Sequence, residues 1–296
     1  MNLPMKWSNG WKEPLAWLVG GVAVFGLALL LTFPYEAVQA RLLDELEQRS
    51  GFDVRSTQST VRFPATLEWR QVTFSKPEWG AVQLALLQTK LGVLKALTGE
   101  FGMDVLVQMD EASPAAGVVK GTVTGASLTL DGLLTVKGQF QQVDLPTLVR
   151  RAVSRGTLTG DFLQHVESMP DGMAVMKGDG VWKVEVKDLA VDQIPLNNGL
   201  TLSVGFTRVA AGLSCRDAVC DVTELKGDGP DGSFSGEGKV TIQQPVQNSQ
   251  VALTVTIVPG AGFAAKGAAL GIPPLPVGMP LTVKVVGTVA QARLAL

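Results

Sequence analysis

The chain has 296 residues, of which 46% are hydrophobic and 18% are charged, with 33 glycines and a formal net charge of −2. No Lys/Arg cluster stands out, which argues against a nucleic-acid partner, because binding phosphates needs concentrated cations. One histidine (His165) and one tyrosine (Tyr35) leave little proton-transfer chemistry, and the many glycines fit short strands joined by turns.

An uncharged run over residues 14–33 predicts a transmembrane helix. Its twenty residues would span about 30 Å, the hydrocarbon thickness of a bilayer. Lys6 and Lys12 precede it, so the positive-inside bias places residues 1–12 in the cytoplasm and the rest of the chain across the membrane. We therefore expect a single-pass membrane protein anchored by residues 13–33. The anchor residues that we expect in the bilayer or at its interfaces are Trp17, Phe25, Leu31, Phe33 and Pro34.

A cleaved signal peptide is the alternative explanation of this run. Val38 and Ala40 have the small-residue spacing that a signal peptidase accepts. Against cleavage, the apolar run is longer than the usual core of about 7–15 residues, and charged Glu36 lies near the candidate site. Both alternatives export the residues that follow.

Residues 34–50 predict an amphipathic helix beside the membrane. Apolar residues recur there at steps of three and four, and Gly51 can end the helix. This apolar stripe either covers one end of the structure that follows or binds a partner. The residues of the stripe are Tyr35, Val38, Leu42, Leu43 and Leu46.

From residue 51 onward alternation replaces the helical period, which predicts one β-rich domain over residues 51–296. Parallel βαβ units are excluded, because each crossover needs about a dozen residues or more, whereas the helical segments predicted here are a single turn at 93–97 and a short capped helix after Asp144. We expect a mainly β fold, a curved antiparallel sheet or groove of a dozen or more strands with one apolar and one polar face. The predicted strands are 61–63, 67–74, 82–91, 103–109, 118–123, 127–130, 133–140, 156–166, 180–189, 200–209, 219–225, 233–243, 251–258 and 281–289.

The two cysteines, Cys215 and Cys220, bracket four residues. They are too few for a zinc site, which takes four ligands, and no histidine lies near them. Two thiols across a short hairpin loop in an oxidising compartment predict a disulfide. Two free cysteines in a reducing cytosol are the alternative.

The stretch GDGPDGSFSG, residues 227–236, matches two enzyme motifs, G-x-G-x-x-G and G-x-S-x-G. Both motifs need a helix to follow, whereas the alternating residues after this stretch predict a strand. His165 also precedes Ser233, the wrong order for the hydrolase family. We interpret the stretch as a glycine-rich turn leading into a strand. We predict no catalytic residue, no cofactor and no enzyme activity.

The other polar signals favour ordinary surface positions. His165 lies among alternating residues, so we expect it to face solvent. Asp228, Asp231 and Glu237 lack the spacing of an EF-hand loop, and we expect a hydrated acidic turn rather than a metal site.

Four segments carry a resemblance to a known family. They are LTFPYEAVQARLLDELEQRSGFDV (residues 31–54), LEWRQVTFSKPEWG (67–80), LQTKLGVLKALTGEFGMDV (87–105) and LTVKVVGTVAQARLAL (281–296). In order and spacing they resemble the N component of the bacterial type II secretion system. The resemblance implies a non-catalytic inner-membrane protein that faces the periplasm and has other secretion-system subunits as partners.

The same order of anchor, amphipathic helix and strands also looks like the AsmA-like proteins. Those proteins build curved β-grooves that can shield lipid tails. This second resemblance implies an alternative function in envelope lipid transport, with a lipid or an apolar partner segment in the groove.

Overall fold

The structure is a computed structural model that forms two compact units, residues 1–44 and residues 45–296. The predicted transmembrane helix and its anchor residues lie outside the described residues. Among the residues that are described, no helix is long and apolar enough to cross a membrane. The structure describes residues 40, 43–44, 47, 52–62, 65–76, 80–92, 95, 98–110, 117–126, 132–148, 153–168, 174–195, 201–243, 248–269, 277–288 and 293–295.

The predicted amphipathic helix is represented by four described residues, all of them helical. Leu43, which we placed on the apolar stripe, is half-buried. Ala40, Asp44 and Glu47 are exposed. The burial of these four positions follows the amphipathic pattern of the sequence.

Residues 53–295 form one curved, unclosed antiparallel sheet of fifteen strands. From β3 to β15 each strand pairs with the next strand in the sequence, while β1 and β2 both pair with β3. The strands are β1 (Asp53–Arg55), β2 (Gln58–Arg62), β3 (Thr66–Lys76), β4 (Gly80–Leu91), β5 (Phe101–Gln108), β6 (Val118–Gly125), β7 (Gly132–Asp144), β8 (Val153–Ser168), β9 (Ala174–Pro195), β10 (Thr201–Arg216), β11 (Val219–Gly229), β12 (Gly232–Thr241), β13 (Gln250–Pro259), β14 (Leu281–Thr288) and β15 (Arg293–Ala295).

The prediction of a mainly β, antiparallel sheet with a dozen or more strands is confirmed. The strands themselves are often longer than predicted, and β9 runs over 22 residues where alternation predicted ten, 180–189. The strands are longer because local backbone irregularities let a strand stay hydrogen-bonded to its neighbour where the alternation of apolar and polar residues breaks. In β9, Asp188 has a positive φ of 52°, and the pairing with β10 continues on both sides of it. The predicted strand at 127–130 lies outside the described residues.

Two helices whose bounds the structure describes interrupt the sheet, and Lys95, between β4 and β5, is also helical. The short helix α1 (Leu145–Leu148) begins after Asp144, as predicted, and Thr147 Oγ1 donates a hydrogen bond to Asp144 Oδ2 at 3.0 Å. The helix α2 (Ala261–Ala269) was not predicted, because its surroundings are rich in proline and glycine. Its own sequence, AGFAAKGAA, contains five alanines, and this high helix propensity is the signal that we missed.

The most buried part of the sheet is its first long strand. In β3 two apolar side chains, Trp69 and Val72, are 3% and 0% exposed, and Glu68 between β2 and β4 is also buried. Glu68 is paired with Arg62 at 3.3 Å and with Arg70 at 2.9 Å, so its buried charge is balanced. This end of the sheet therefore contains half of the buried apolar residues among those described, and the others are spread over β6, β7, β10, β11 and β14.

Candidate binding surface on the apolar face of the sheet

One face of the sheet is uncharged from β4 to β14. Residues that pair directly across an antiparallel ladder lie on the same face, so the register defines continuous rows of side chains. Across the middle of the sheet the row is Thr89, Val105, Gly121, Gly138, Phe162, Trp182, Leu213, Val222, Gly238, Leu253 and Val285. We call this face the apolar face.

Two flanking rows have the same character. Toward one end of the strands the row is Leu91, Met103, Val123, Val136, Gln164, Gly180, Cys215, Cys220, Val240, Val251 and Gly287. Toward the other end it is Val143, Leu158, Val186, Val209, Gly227, Phe234, Ile257 and Leu281. None of these positions in the three rows carries a charge, and Thr89 and Gln164 are the polar ones apart from the cysteines.

The opposite face carries the charged side chains. One of its rows crosses the same strands one residue away from the middle row of the apolar face. We call this side the polar face. Four of the residues in this row are apolar, so the predicted separation into an apolar and a polar side is found for the uncharged face and is incomplete on this one. The row is Lys90, Asp104, Thr122, Lys137, Leu163, Val181, Ser214, Asp221, Lys239, Ala252 and Val286.

Aromatic rings lie flat on the apolar face where glycines make room for them. Phe162 stacks on Trp182 with ring centroids 4.6 Å apart and also contacts Phe140 at 5.4 Å. A Cβ atom at Gly138 would lie 2.5 Å from the Phe162 ring, so only glycine permits this close approach. Such glycines explain why many strands of this sequence combine glycine with apolar residues.

The apolar face is half-buried rather than sealed. In β12 the side chains alternate between half-buried and exposed over residues 232–240, with Phe234 on the half-buried side. Ile257 and Leu281, in the next two strands, are 37% and 40% exposed. The apolar face therefore retains contact area that an added apolar molecule can cover.

An ion pair fixes α2 at one end of this face. Lys266 of α2 places Nζ 2.6 Å from Oδ2 of Asp231 and donates to the carbonyl oxygen of Ser203 at 3.2 Å. Asp231, in the turn between β11 and β12, has a side chain only 1% exposed and also accepts a hydrogen bond from the Gly205 N–H at 2.6 Å. The prediction of a hydrated acidic turn is therefore wrong for Asp231, because a cation 35 residues later in the sequence pairs with it.

A second carboxylate lies in the same neighbourhood. Hydrogen bonds from Ser154 and Ser203 lower the pKa of Asp192, and the charges of Arg155 and Lys266 act in the same direction. The carboxylate of Asp192 is therefore held in its charged form.

The stretch 227–236 forms the turn and strand that the sequence predicts. Residues 227–229 end β11, Pro230 and Asp231 turn, and Gly232 begins β12. Ser233 and Ser235 lie in β12 rather than before a helix, so the geometry required by either enzyme motif is absent from these residues.

His165 is half-buried, so the prediction of a solvent-facing side chain is only partly right. Its Nδ1 lies 3.0 Å from Oγ1 of Thr135 on the neighbouring strand β7. This contact gives the imidazole ring a hydrogen-bond partner, so its half-buried position needs no catalytic role to explain it.

Cys215 and Cys220 pair directly in the hairpin between β10 and β11 and are joined by a disulfide. Both are buried, at 3% and 1% exposure. The connecting turn contains Asp217 with a positive φ of 54°. The disulfide lies on the apolar face and ties together the two strands at its middle.

No match to this chain is found among protein-family models, curated proteins or solved structures. The uncharged rows of the apolar face are thus the strongest indication of function that the described residues offer.

Proposed function

We propose that this chain is an anchored component of the bacterial type II secretion system that works by binding rather than by catalysis. The observation that carries the binding function is the apolar face, whose rows run without a charge from β4 to β14. The proposal takes the secretion system itself from the sequence resemblance. The anchor at residues 13–33 would hold the chain in the inner membrane with the sheet in the periplasm.

The ligand that suits this face is long, apolar and bound without covalent chemistry. A row of aliphatic and aromatic side chains gains free energy by being covered, at roughly 25 cal/mol per Å² of apolar surface. It offers few hydrogen-bond partners, since Thr89 and Gln164 are the polar side chains of the rows apart from the cysteines. An apolar segment of a secretion-system subunit, laid across the strands, fits this description.

The sheet edge at β14 offers a second means of binding a subunit. The short strand β15 pairs only with Lys284–Val286, and within the described residues nothing pairs with Leu281–Val283 on that side. Unpaired backbone groups of this kind can accept an added strand. Strand addition at β14 would place a partner directly beside the apolar face.

A second candidate function, lipid binding of the AsmA-like kind, is favoured by the same uncharged face. Lipid acyl chains need no hydrogen bonds, so they are well matched to rows that supply almost none. In this case the chain would act in envelope lipid transport.

The two functions are separated by isolating the full chain from bacterial membranes with a photoreactive amino acid at position 253, in the middle row. Cross-links to secretion-system subunits, identified by mass spectrometry, would support the first function. Cross-links to phospholipid alone would support the second. The matched control carries the photoreactive residue at position 252, on the polar face of the same strand. Equal cross-linking from both positions would contradict binding by the apolar face.

A further inference from the structure

A cavity of about 240 Å³ lies where the apolar face meets α2. It is larger than the apolar cavity of about 150 Å³ that is enough to hold a benzene molecule. Its walls come from β10, β12, β13, β14 and α2, which approach one another at this end of the sheet. The apolar side chains that carry the argument are Val204, Phe206, Phe234, Ile257, Phe263 and Leu281.

The cavity is held open by contacts within the protein. Phe206 and Phe234 meet edge to face with ring centroids 4.9 Å apart and form one wall. The start of α2 is tied to the turn before β12, since the N–H of Gly262 donates to the carbonyl oxygen of Pro230 at 3.1 Å. The ion pair between Lys266 and Asp231 fixes the next turn of the helix. Phe263 is thereby positioned over the cavity.

The charged group at the cavity is already paired. Asp231 is the charged residue of the lining, and its carboxylate accepts hydrogen bonds from Lys266 and from the Gly205 N–H. A peptide backbone entering the cavity would leave its own N–H and C=O groups without partners, at a cost of about 1–3 kcal/mol for each group. A hydrocarbon chain has no such groups, so the cavity selects hydrocarbon over backbone.

The cavity continues into the apolar face. Ile257 and Leu281 line it, remain 37% and 40% exposed, and belong to the same row as Phe234. A hydrocarbon chain whose end is in the cavity can therefore continue along the row of Phe234, Ile257 and Leu281. Lys266 balances the charge of Asp231, and an acyl chain that enters by its methyl end keeps its headgroup outside the cavity. Because the proposed function anchors the protein in the inner membrane, the acyl chains that this site meets are those of membrane phospholipids.

We propose that this cavity receives the end of one acyl chain of a membrane phospholipid. The inference rests on the proposed binding function of the apolar face and names a ligand and a terminal subsite for it. The cavity lies at one end of the apolar face, on the row of Phe234, so a lipid bound there leaves the middle row free for either candidate function.

The test uses the full chain in lipid nanodiscs and a phosphatidylglycerol that carries a diazirine at the methyl end of one acyl chain. After irradiation, the labelled peptides are identified by mass spectrometry. We expect label on the peptides that contain Phe234, Phe263 or Leu281. The free fatty acid with the same diazirine is the second probe, and labelling of equal efficiency by it would overturn the assignment to phospholipid.

Two variants on one strand sharpen the test. Leu281→Asp places a carboxylate in the cavity, and we expect labelling there to fall about tenfold or more. Val286→Asp is the matched control, because Val286 is similarly exposed, at 43%, but lies on the polar face of β14. We expect it to leave labelling unchanged, and circular dichroism of both variants confirms that each is folded.

The possible failures are distinguishable. Label along the middle row, at Trp182 for example, but not at the cavity, would overturn the subsite and leave the binding function intact. No label anywhere on the sheet would overturn the lipid subsite, while cross-links from position 253 to secretion subunits would still support the proposed function. Equal labelling of the Leu281→Asp and Val286→Asp proteins would also overturn the subsite.

Discussion

The two ends of the sheet use apolar side chains in different ways. In β3, Trp69 and Val72 are buried almost completely. In β13 and β14, Ile257 and Leu281 keep more than a third of their surface exposed, although their strands show the same kind of alternation. Alternation therefore specifies which face is apolar, but not whether that face is part of a core or available to a ligand.

This difference separates stability from binding. A side chain that is already buried contributes to the free energy of folding, whereas one that stays exposed contributes mainly when something covers it. Substitutions in β3 should thus change the stability of the protein, and substitutions in β13 and β14 should change what it binds. Five predictions test this division, beginning with the largest expected effect.

Trp69→Ala should lower the free energy of unfolding by about 3–5 kcal/mol, because a large buried side chain leaves a cavity. Leu281→Ala, at the other end, should cost less than about 1 kcal/mol, since its side chain is largely exposed. Urea unfolding of the full chain, followed by circular dichroism, measures both values. Similar losses for the two variants would remove the distinction between the two ends.

Trp69→Phe separates packing from hydrogen bonding at the same position. The indole Nε1 of Trp69 is buried and has no hydrogen-bond partner among the described residues. Phenylalanine retains most of the apolar contact and removes the unpartnered N–H group. We expect its loss of stability to be well below that of the alanine variant.

Replacing Cys215 and Cys220 together by serine should cost about 2 kcal/mol, the modest value expected for a disulfide that closes a very short loop. The same unfolding measurement checks this, with the unsubstituted chain under reducing conditions as the comparison. Because the disulfide lies between the two ends, labelling of the cavity should persist. If the variant folds but labelling of the cavity is lost, the disulfide in the middle of the apolar face influences ligand binding at the end of that face.

Lys266→Met should destabilise the protein by about 1–2 kcal/mol, because it leaves the buried carboxylate of Asp231 with fewer partners. The figure stays low because the lysine side chain is itself 43% exposed. Hydrogen exchange should increase in α2 and stay unchanged in β3. Faster exchange in β3 would show that the two ends are not independent.

The smallest effect concerns Asp192, whose pKa is lowered from its ordinary value of 3.8 mainly by hydrogen bonds from Ser154 and Ser203. A lowered carboxylate pKa favours folding above the ordinary value, and this contribution is lost as the pH falls through the folded value. Replacing both serines by alanine should raise the pKa of Asp192 toward 3.8. An NMR titration of its carboxyl carbon measures the change, and an unchanged pKa would assign the shift to Arg155 and Lys266 instead.

The sequence predicted the sheet and its two faces because both follow from local alternation. It did not predict the rows, since these depend on the register of ten successive pairings, from β4 to β14, that include several shifts, for example between Phe140 and Val143. Asp231 was misjudged for a similar reason, because its partner Lys266 lies in a helix that the surrounding prolines and glycines concealed. The cavity depends on that helix and could not be predicted without it.

Because nearly every strand pairs only with its neighbours in sequence, the sheet is built from separable units. Removing two consecutive strands would leave the chain direction and both faces continuous, whereas removing one would reverse the path of everything after it. The length of such a sheet can therefore change in evolution by whole hairpins, which would shorten or lengthen the surface while preserving its ends. Pairing between sequence neighbours also keeps the separation of paired residues short relative to the length of the chain, which favours rapid folding for so large a β structure.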